Sequence, residues 1–164
     1  MKRLLFVAGL LVSLGQAFAQ QQITTVILVR HAEKATDGTK DPDLTEAGKV
    51  RAIALVKLLN EVKIDAIYST TFKRTQNTVA QLAMDKGITI ESYNAMKGEA
   101  IDEIIKKFPG GTVVICGHSN TTPWTANYLL GKEQYKDFDD SDYDNVLLLN
   151  VVQKGNAKAT WLTY

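Results

Sequence analysis

The chain has one cysteine, three prolines and two histidines among its 164 residues, and each scarcity narrows the choices. A lone Cys116 in an apolar run forms no intramolecular disulfide and reads as a small buried hydrophobe, so a packed core must hold the fold. No Pro- or Gly-rich tract, internal repeat or low-complexity stretch marks a linker. Charge has no bias either: 19 Lys and Arg stand against 18 Asp and Glu. Outside the N-terminal segment no basic block occurs, which argues against nucleic acid as a partner.

Positions 1–19 have their own order. Lys2 and Arg3 precede an apolar segment from Leu4 to about Leu14, and Ala17-Phe18-Ala19 closes it. That is the charged, apolar and small-residue order of a secretory signal peptide, with cleavage expected after Ala19. No Cys follows, so a lipoprotein anchor is not expected. The remainder, 20–164, has the size of one domain, destined for the periplasm or the exterior. No later run approaches the roughly 20 apolar residues of a membrane span.

The 20–164 region alternates apolar runs suited to strands with helical repeats. Strands are expected over Thr24–Val29, Ala66–Ser69, Ile88–Ser92, Thr112–Cys116, Asn145–Val151 and Ala157–Thr163. Ala52, Leu55, Val56 and Leu59 fall on one helical stripe, as do Ile101, Ile104, Ile105 and Phe108. Thr45 suits the N-cap of the first helix. Further helices are expected over Thr71–Met84 and from Pro123 to Leu130, before Gly131. Lys132–Asp144 reads as a polar, acidic surface loop. The expected class is α/β: a three-layer sandwich with a mostly parallel central sheet flanked by helices, its last strands an antiparallel hairpin.

Both histidines sit where an apolar run stops. Val26-Ile27-Leu28-Val29 ends in Arg30-His31-Ala32-Glu33-Lys34, and Val113-Val114-Ile115-Cys116 ends in Gly117-His118-Ser119-Asn120. Folding alone requires neither ending. In open α/β sheets ligands bind beyond the carboxyl ends of the strands, where Arg30, His31, Arg74 and the turn at His118 would converge. Two guanidiniums and two imidazoles with little nearby acid except Glu33 repel one another, and a dianion relieves that cost. Arginine offers paired donors to phosphate oxygens, and the amides at Gly117-His118-Ser119-Asn120 add an anion site where the next helix starts. Two histidines and Glu33 would also suit zinc, but the arginines oppose a dication and no metal-binding motif is present, so neither a metal nor another cofactor is expected.

Leu28-Val29-Arg30-His31-Ala32-Glu33, Leu44-Thr45-Glu46-Ala47-Gly48, Tyr68-Ser69-Thr70 with Arg74-Thr75 and Thr78, and Gly117-His118-Ser119-Asn120-Thr121 together resemble the histidine phosphatase superfamily, in its phosphoglycerate mutase-like branch. The resemblance implies covalent phosphoryl transfer, with His31 as nucleophile and Arg30, Arg74 and His118 holding the phosphoryl oxygens beside Ser119 and Asn120. The usual Arg-His-Gly is Arg-His-Ala here. The general acid of many relatives maps near Lys97, which makes Glu99 the candidate proton donor and Glu33 a weaker one. His31 should be unprotonated on its reacting nitrogen and fixed by a backbone carbonyl, while His118 serves better as a cation, so the two should titrate apart. What is expected is an exported phosphatase acting on a phosphorylated sugar, lipid-linked group, small molecule or protein. A phosphate-binding module without turnover and a phosphoglycerate-type mutase are the alternatives. Substrate choice is expected to rest on Lys34–Asp43, Tyr93–Glu99 and Lys132–Asp144, with Glu33 and Lys34 on the rim.

Overall fold

The computed structural model describes residues 22–164, so the expected signal peptide and its cleavage point lie outside the described residues. Six strands form one sheet: β1 (Thr24–Arg30), β2 (Ala66–Ser69), β3 (Ile90–Ser92), β4 (Thr112–Gly117), β5 (Asn145–Gln153) and β6 (Asn156–Thr163). Their spatial order is β3-β2-β4-β1-β5-β6. β3, β2, β4 and β1 run parallel, whereas β5 is antiparallel to β1 and makes a hairpin with β6. Four helices join them: α1 (Glu46–Leu58), α2 (Lys73–Lys86), α3 (Gly98–Lys107) and α4 (Thr121–Leu130). The fold is therefore α/β, with a mostly parallel sheet and a terminal antiparallel hairpin.

β1 reads as a continuous apolar run because both of its faces are covered. Val26 and Leu28 pack with Val113, Ile115, Ile101, Ile104 and Leu129 on the α3 and α4 side. Ile27 and Val29 pack with Val114, Cys116, Leu55, Val79 and Leu82 on the α1 and α2 side. Each such side chain, fully buried, contributes about 1.5–3 kcal/mol. Among the described residues no helix is long and apolar enough to cross a membrane.

Three local differences from the sequence expectations have physical causes. α2 starts at Lys73, not Thr71, where Asp41 from a distant loop accepts the Lys73 amide hydrogen at 3.0 Å. It ends at Gly87, in the left-handed region at φ 65°, and the Ile88 amide donates back to the Ala83 carbonyl at 2.9 Å. That closure delays β3 to Ile90. The third difference is larger. The segment 132–144 is not a plain surface loop: Phe138 is buried, its amide donates to the Ser119 carbonyl at 2.9 Å, and three backbone carbonyls turn inward onto Arg30.

Candidate active site

Sheet register brings the two histidines together. Arg30 of β1 pairs with Gly117 of β4, and the next residue, His31, donates its amide hydrogen to the Gly117 carbonyl at 2.9 Å. The His31 and His118 rings then meet edge to face, with centroids 5.4 Å apart. Gly117 is required at this crowded point, since a Cβ there would lie 2.6 Å from Thr121 Oγ1.

His31 is 3% exposed, and its Nδ1 lies 2.8 Å from the Ala32 carbonyl. A carbonyl only accepts, so Nδ1 carries the hydrogen and Nε2 keeps its lone pair. Burial, reinforced by His118, Arg30 and Arg74, lowers the His31 pKa to about 3. A fixed, neutral imidazole with a free Nε2 is the nucleophilic form.

His118 is held at both ends. Its amide donates to Thr121 Oγ1 at 2.8 Å, and its Nε2 lies 3.0 Å from Thr70 Oγ1. Thr70 Oγ1 in turn lies 2.8 Å from Thr75 Oγ1, whose hydrogen is taken by the Phe72 carbonyl at 2.7 Å. Because this chain of hydroxyls ends on a carbonyl, Thr70 donates to Thr75 and His118 Nε2 donates to Thr70. Burial and then the two guanidiniums lower the His118 pKa to about 4. The two histidines therefore do not titrate far apart, contrary to expectation: burial first, and then the guanidiniums of Arg30 and Arg74, keep both neutral.

Arg30 is 2% exposed and behaves differently from a free phosphate fork. Its Nη1 donates to the carbonyls of Asp139 and Asp142, and its Nη2 to that of Asp140, while the guanidinium lies 4.1 Å from the Tyr143 ring centroid. Arg74 rests over Phe72 at 4.3 Å, with Asp41 3.8 Å away. Both arginines keep a buried Nε without a hydrogen-bond partner. Two orphaned cationic donors beside a neutral imidazole suit an anion with several acceptor oxygens.

The structure does not bring every candidate to this point. Glu33 leaves the cluster: Arg51 Nη2 and Nε hold its carboxylate at 2.7–3.0 Å. Burial works to raise the Glu33 pKa, and the Arg51 hydrogen bonds outweigh it and lower it. Glu33 thus fastens β1 to α1 and is not a rim residue. Glu99 is exposed in the first turn of α3, outside the set of residues that line the cavity beside His118. Asn120 does line that cavity, whereas Ser119 contributes a carbonyl to Phe138. Among the described residues no three His, Cys, Asp or Glu side chains gather as metal ligands. Tyr143, Phe72 and the Thr70–Thr75 pair were not identified from the sequence as site groups. Thr70 and Thr75 left a trace there, as members of the Tyr68-Ser69-Thr70 and Arg74-Thr75 motif; Phe72 and Tyr143 left none.

A family model described as histidine phosphatase superfamily (branch 1) matches residues 26–97. Over that part of its length the chain is similar to the histidine phosphatase superfamily. Phosphoserine phosphatase 1 of Hydrogenobacter thermophilus is 33% identical over 98 residues, covering 51% of this chain and 46% of that protein. The 2,3-bisphosphoglycerate-dependent phosphoglycerate mutase of Bartonella tribocorum is 38% identical over 87 residues, covering 48% and 41%. The chain spans about half the length of these curated relatives. The solved protein histidine phosphatase SixA, complexed with tungstate, shares the fold at a TM-score of 0.71 and 15% identity, over 85% of this chain and 96% of that one. The family match contains Arg30, His31 and Arg74 and stops before His118. The second histidine, His118, follows strand β4, which lies beside β1.

Proposed function

We propose that this protein is an exported phosphatase that hydrolyses phosphomonoesters or related phosphorylated groups through a phosphohistidine on His31. One observation carries the proposal: a buried His31 whose Nδ1–H is fixed on the Ala32 carbonyl, leaving Nε2 free within the influence of two guanidiniums with unpartnered Nε donors. His31 Nε2 attacks phosphorus as the bond to the leaving oxygen breaks. Arg30 and Arg74 offset the charge on the non-bridging oxygens, most strongly at the transition state. Water then attacks the phosphohistidine, the N–P bond breaks, and phosphate leaves with neutral His31 restored. His118 gains a proton when a dianion arrives, because the anion reverses the effect of the two guanidiniums.

The relative named phosphoserine phosphatase supports hydrolysis, the relatives named phosphoglycerate mutase keep the mutase as an alternative, and the residue order at 1–19 weighs against it. Export is supported by the residue order at 1–19 alone. A phosphate-binding module without turnover is the second reading, favoured by the distance that Glu33 and Glu99 keep from the cavity beside His118. Aryl phosphates, whose leaving group departs as an anion, need no proton donor and make the first assay. The purified protein should turn one over, inhibited by vanadate, and His31→Ala should lower kcat by about 1000-fold or more. Unchanged activity in His31→Ala removes the assignment, and an inactive parent favours the binding module.

A further inference from the structure

A guanidinium carries five N–H hydrogens in one plane, and most of those on Arg30 are already taken. Nη1 gives its two to the carbonyls of Asp139 and Asp142, and Nη2 gives one to that of Asp140. What remains is one Nη2–H and the Nε–H, which is buried without a partner. Only this edge is left to meet a phosphoryl group, so the direction of the plane decides whether Arg30 can serve His31.

The three carbonyls do not fix that direction by themselves. Carbonyl oxygens accept over a broad range of angles, and these come from a segment in which Asp139 and Asp140 are exposed. Tyr143 supplies a second kind of constraint. Its ring centroid lies 4.1 Å from the Arg30 guanidinium carbon, inside the range of a cation over an aromatic face. The same ring stands 6.0 Å from the His31 ring, tilted by 55°. Sheet pairing delivers it there: Tyr143 shortly precedes Val146, which pairs with Val29 where β1 runs into Arg30 and His31. The far end of the segment is anchored as well, by buried Phe138 and its amide bond to the Ser119 carbonyl beside His118.

We infer that Tyr143 is a positioning residue for phosphoryl transfer: its ring fixes the plane of the Arg30 guanidinium so that the unpartnered Nε–H edge is aimed at the phosphoryl group on His31. The inference rests on the phosphatase reading of His31. Tyr143 acts through Arg30 and needs no contact of its own with the substrate. The face of the ring makes the contact, not the hydroxyl, so phenylalanine should serve as well. An electron-rich face is what a cation seeks, because the ring quadrupole is negative there.

The test measures kcat/KM for an aryl phosphate in the full-length protein. Tyr143→Phe should stay within about twofold of the parent, whereas Tyr143→Leu should fall about tenfold, mostly in kcat, since the fork matters most as charge builds on the phosphoryl oxygens. Replacing Tyr143 with pentafluorophenylalanine keeps the shape and removes the electron-rich face, and should lose about as much as leucine does. In an Arg30→Lys protein no plane remains to be aimed, so adding Tyr143→Leu should then cost less than about twofold. The same tenfold loss in the Arg30→Lys protein, or parental activity in the leucine or the fluorinated variant, overturns the inference. Calorimetric titration of the His31→Ala protein with sulfate reads the aim of Arg30 without turnover, and Tyr143→Leu should weaken that binding about threefold or more. Such a weakening in a protein whose parent is inactive keeps the Tyr143 assignment and rejects the phosphatase; turnover that Tyr143→Leu leaves untouched does the reverse.

Discussion

Arg30 Nη1 donates to the Asp142 carbonyl at 2.6 Å, tying the end of β1 to a segment 112 residues further along. That bond and its partners at Asp139 and Asp140 make Arg30 a structural residue as well as the proposed phosphate ligand. Arg30→Ala strands three carbonyls and should cost about 2–4 kcal/mol of stability. Arg30→Lys should recover only part of it, because an ammonium cannot reproduce the planar fork. Denaturant unfolding checks both, and a stability loss below the error of the method for Arg30→Ala would contradict the role.

The hydroxyl chain from His118 through Thr70 to Thr75 makes a second prediction. Thr75→Val removes the group that accepts from Thr70, which frees Thr70 to donate to His118 Nε2 and favours the wrong tautomer. kcat/KM on an aryl phosphate should fall roughly 3–10-fold, a modest effect for a positioning group. Thr75→Ser should restore it. The pH profile should move in the valine variant and stay put in the serine variant; identical profiles would leave Thr75 as mere packing.

Stability should follow the two histidines. Their pKa values fall from 6.5 to about 3 and about 4 on folding, so the unfolded chain binds more protons between roughly pH 4 and 6.5. Stability is complete above about pH 7, falls as pH drops through 6.5, and levels off below about pH 3, a loss on the order of a few kcal/mol once solvent screening is allowed for. A His31→Gln/His118→Gln protein should show a flatter slope in that window. Sulfate, a dianion throughout this range, should also take up protons when it binds near pH 6, read by calorimetry in buffers of different ionisation enthalpy; release of protons would reverse the assigned sign.

Glu33 separates a structural acid from a chemical one. Glu33→Gln weakens the tie to Arg51 and should cost about 1–2 kcal/mol in unfolding, with kcat/KM on an aryl phosphate within about twofold of the parent. A hundredfold drop in kcat at unchanged stability would return Glu33 to the site.

The architecture was legible because its cues are local and repeated. Apolar runs without alternation gave β1 and β4, the Ala52 and Ile101 stripes gave α1 and α3, and strand ends marked by Arg30-His31 and Gly117-His118 indicated where polar groups gather. Register then did what the sequence reading supposed and set the two histidines side by side. What stayed hidden was carried by backbone atoms and long-range partners. The carbonyls of Asp139, Asp140 and Asp142 have no residue-type signature, so a stretch rich in aspartate looked like solvent-facing loop while its main chain faced Arg30. The acid at Glu33 looked free because Arg51, 18 residues away, could not be paired with it by spacing alone.

The central claim is that His31 Nε2 becomes covalently phosphorylated. Rapid mixing of the protein with an aryl phosphate, quenching in alkali, where phosphohistidine survives, and mapping the peptides by mass spectrometry tests it directly. A single added phosphoryl group on the peptide containing Arg30-His31-Ala32, absent from His31→Ala, is the predicted result. Steady turnover with no label on that peptide, or the same label retained in His31→Ala, would contradict it.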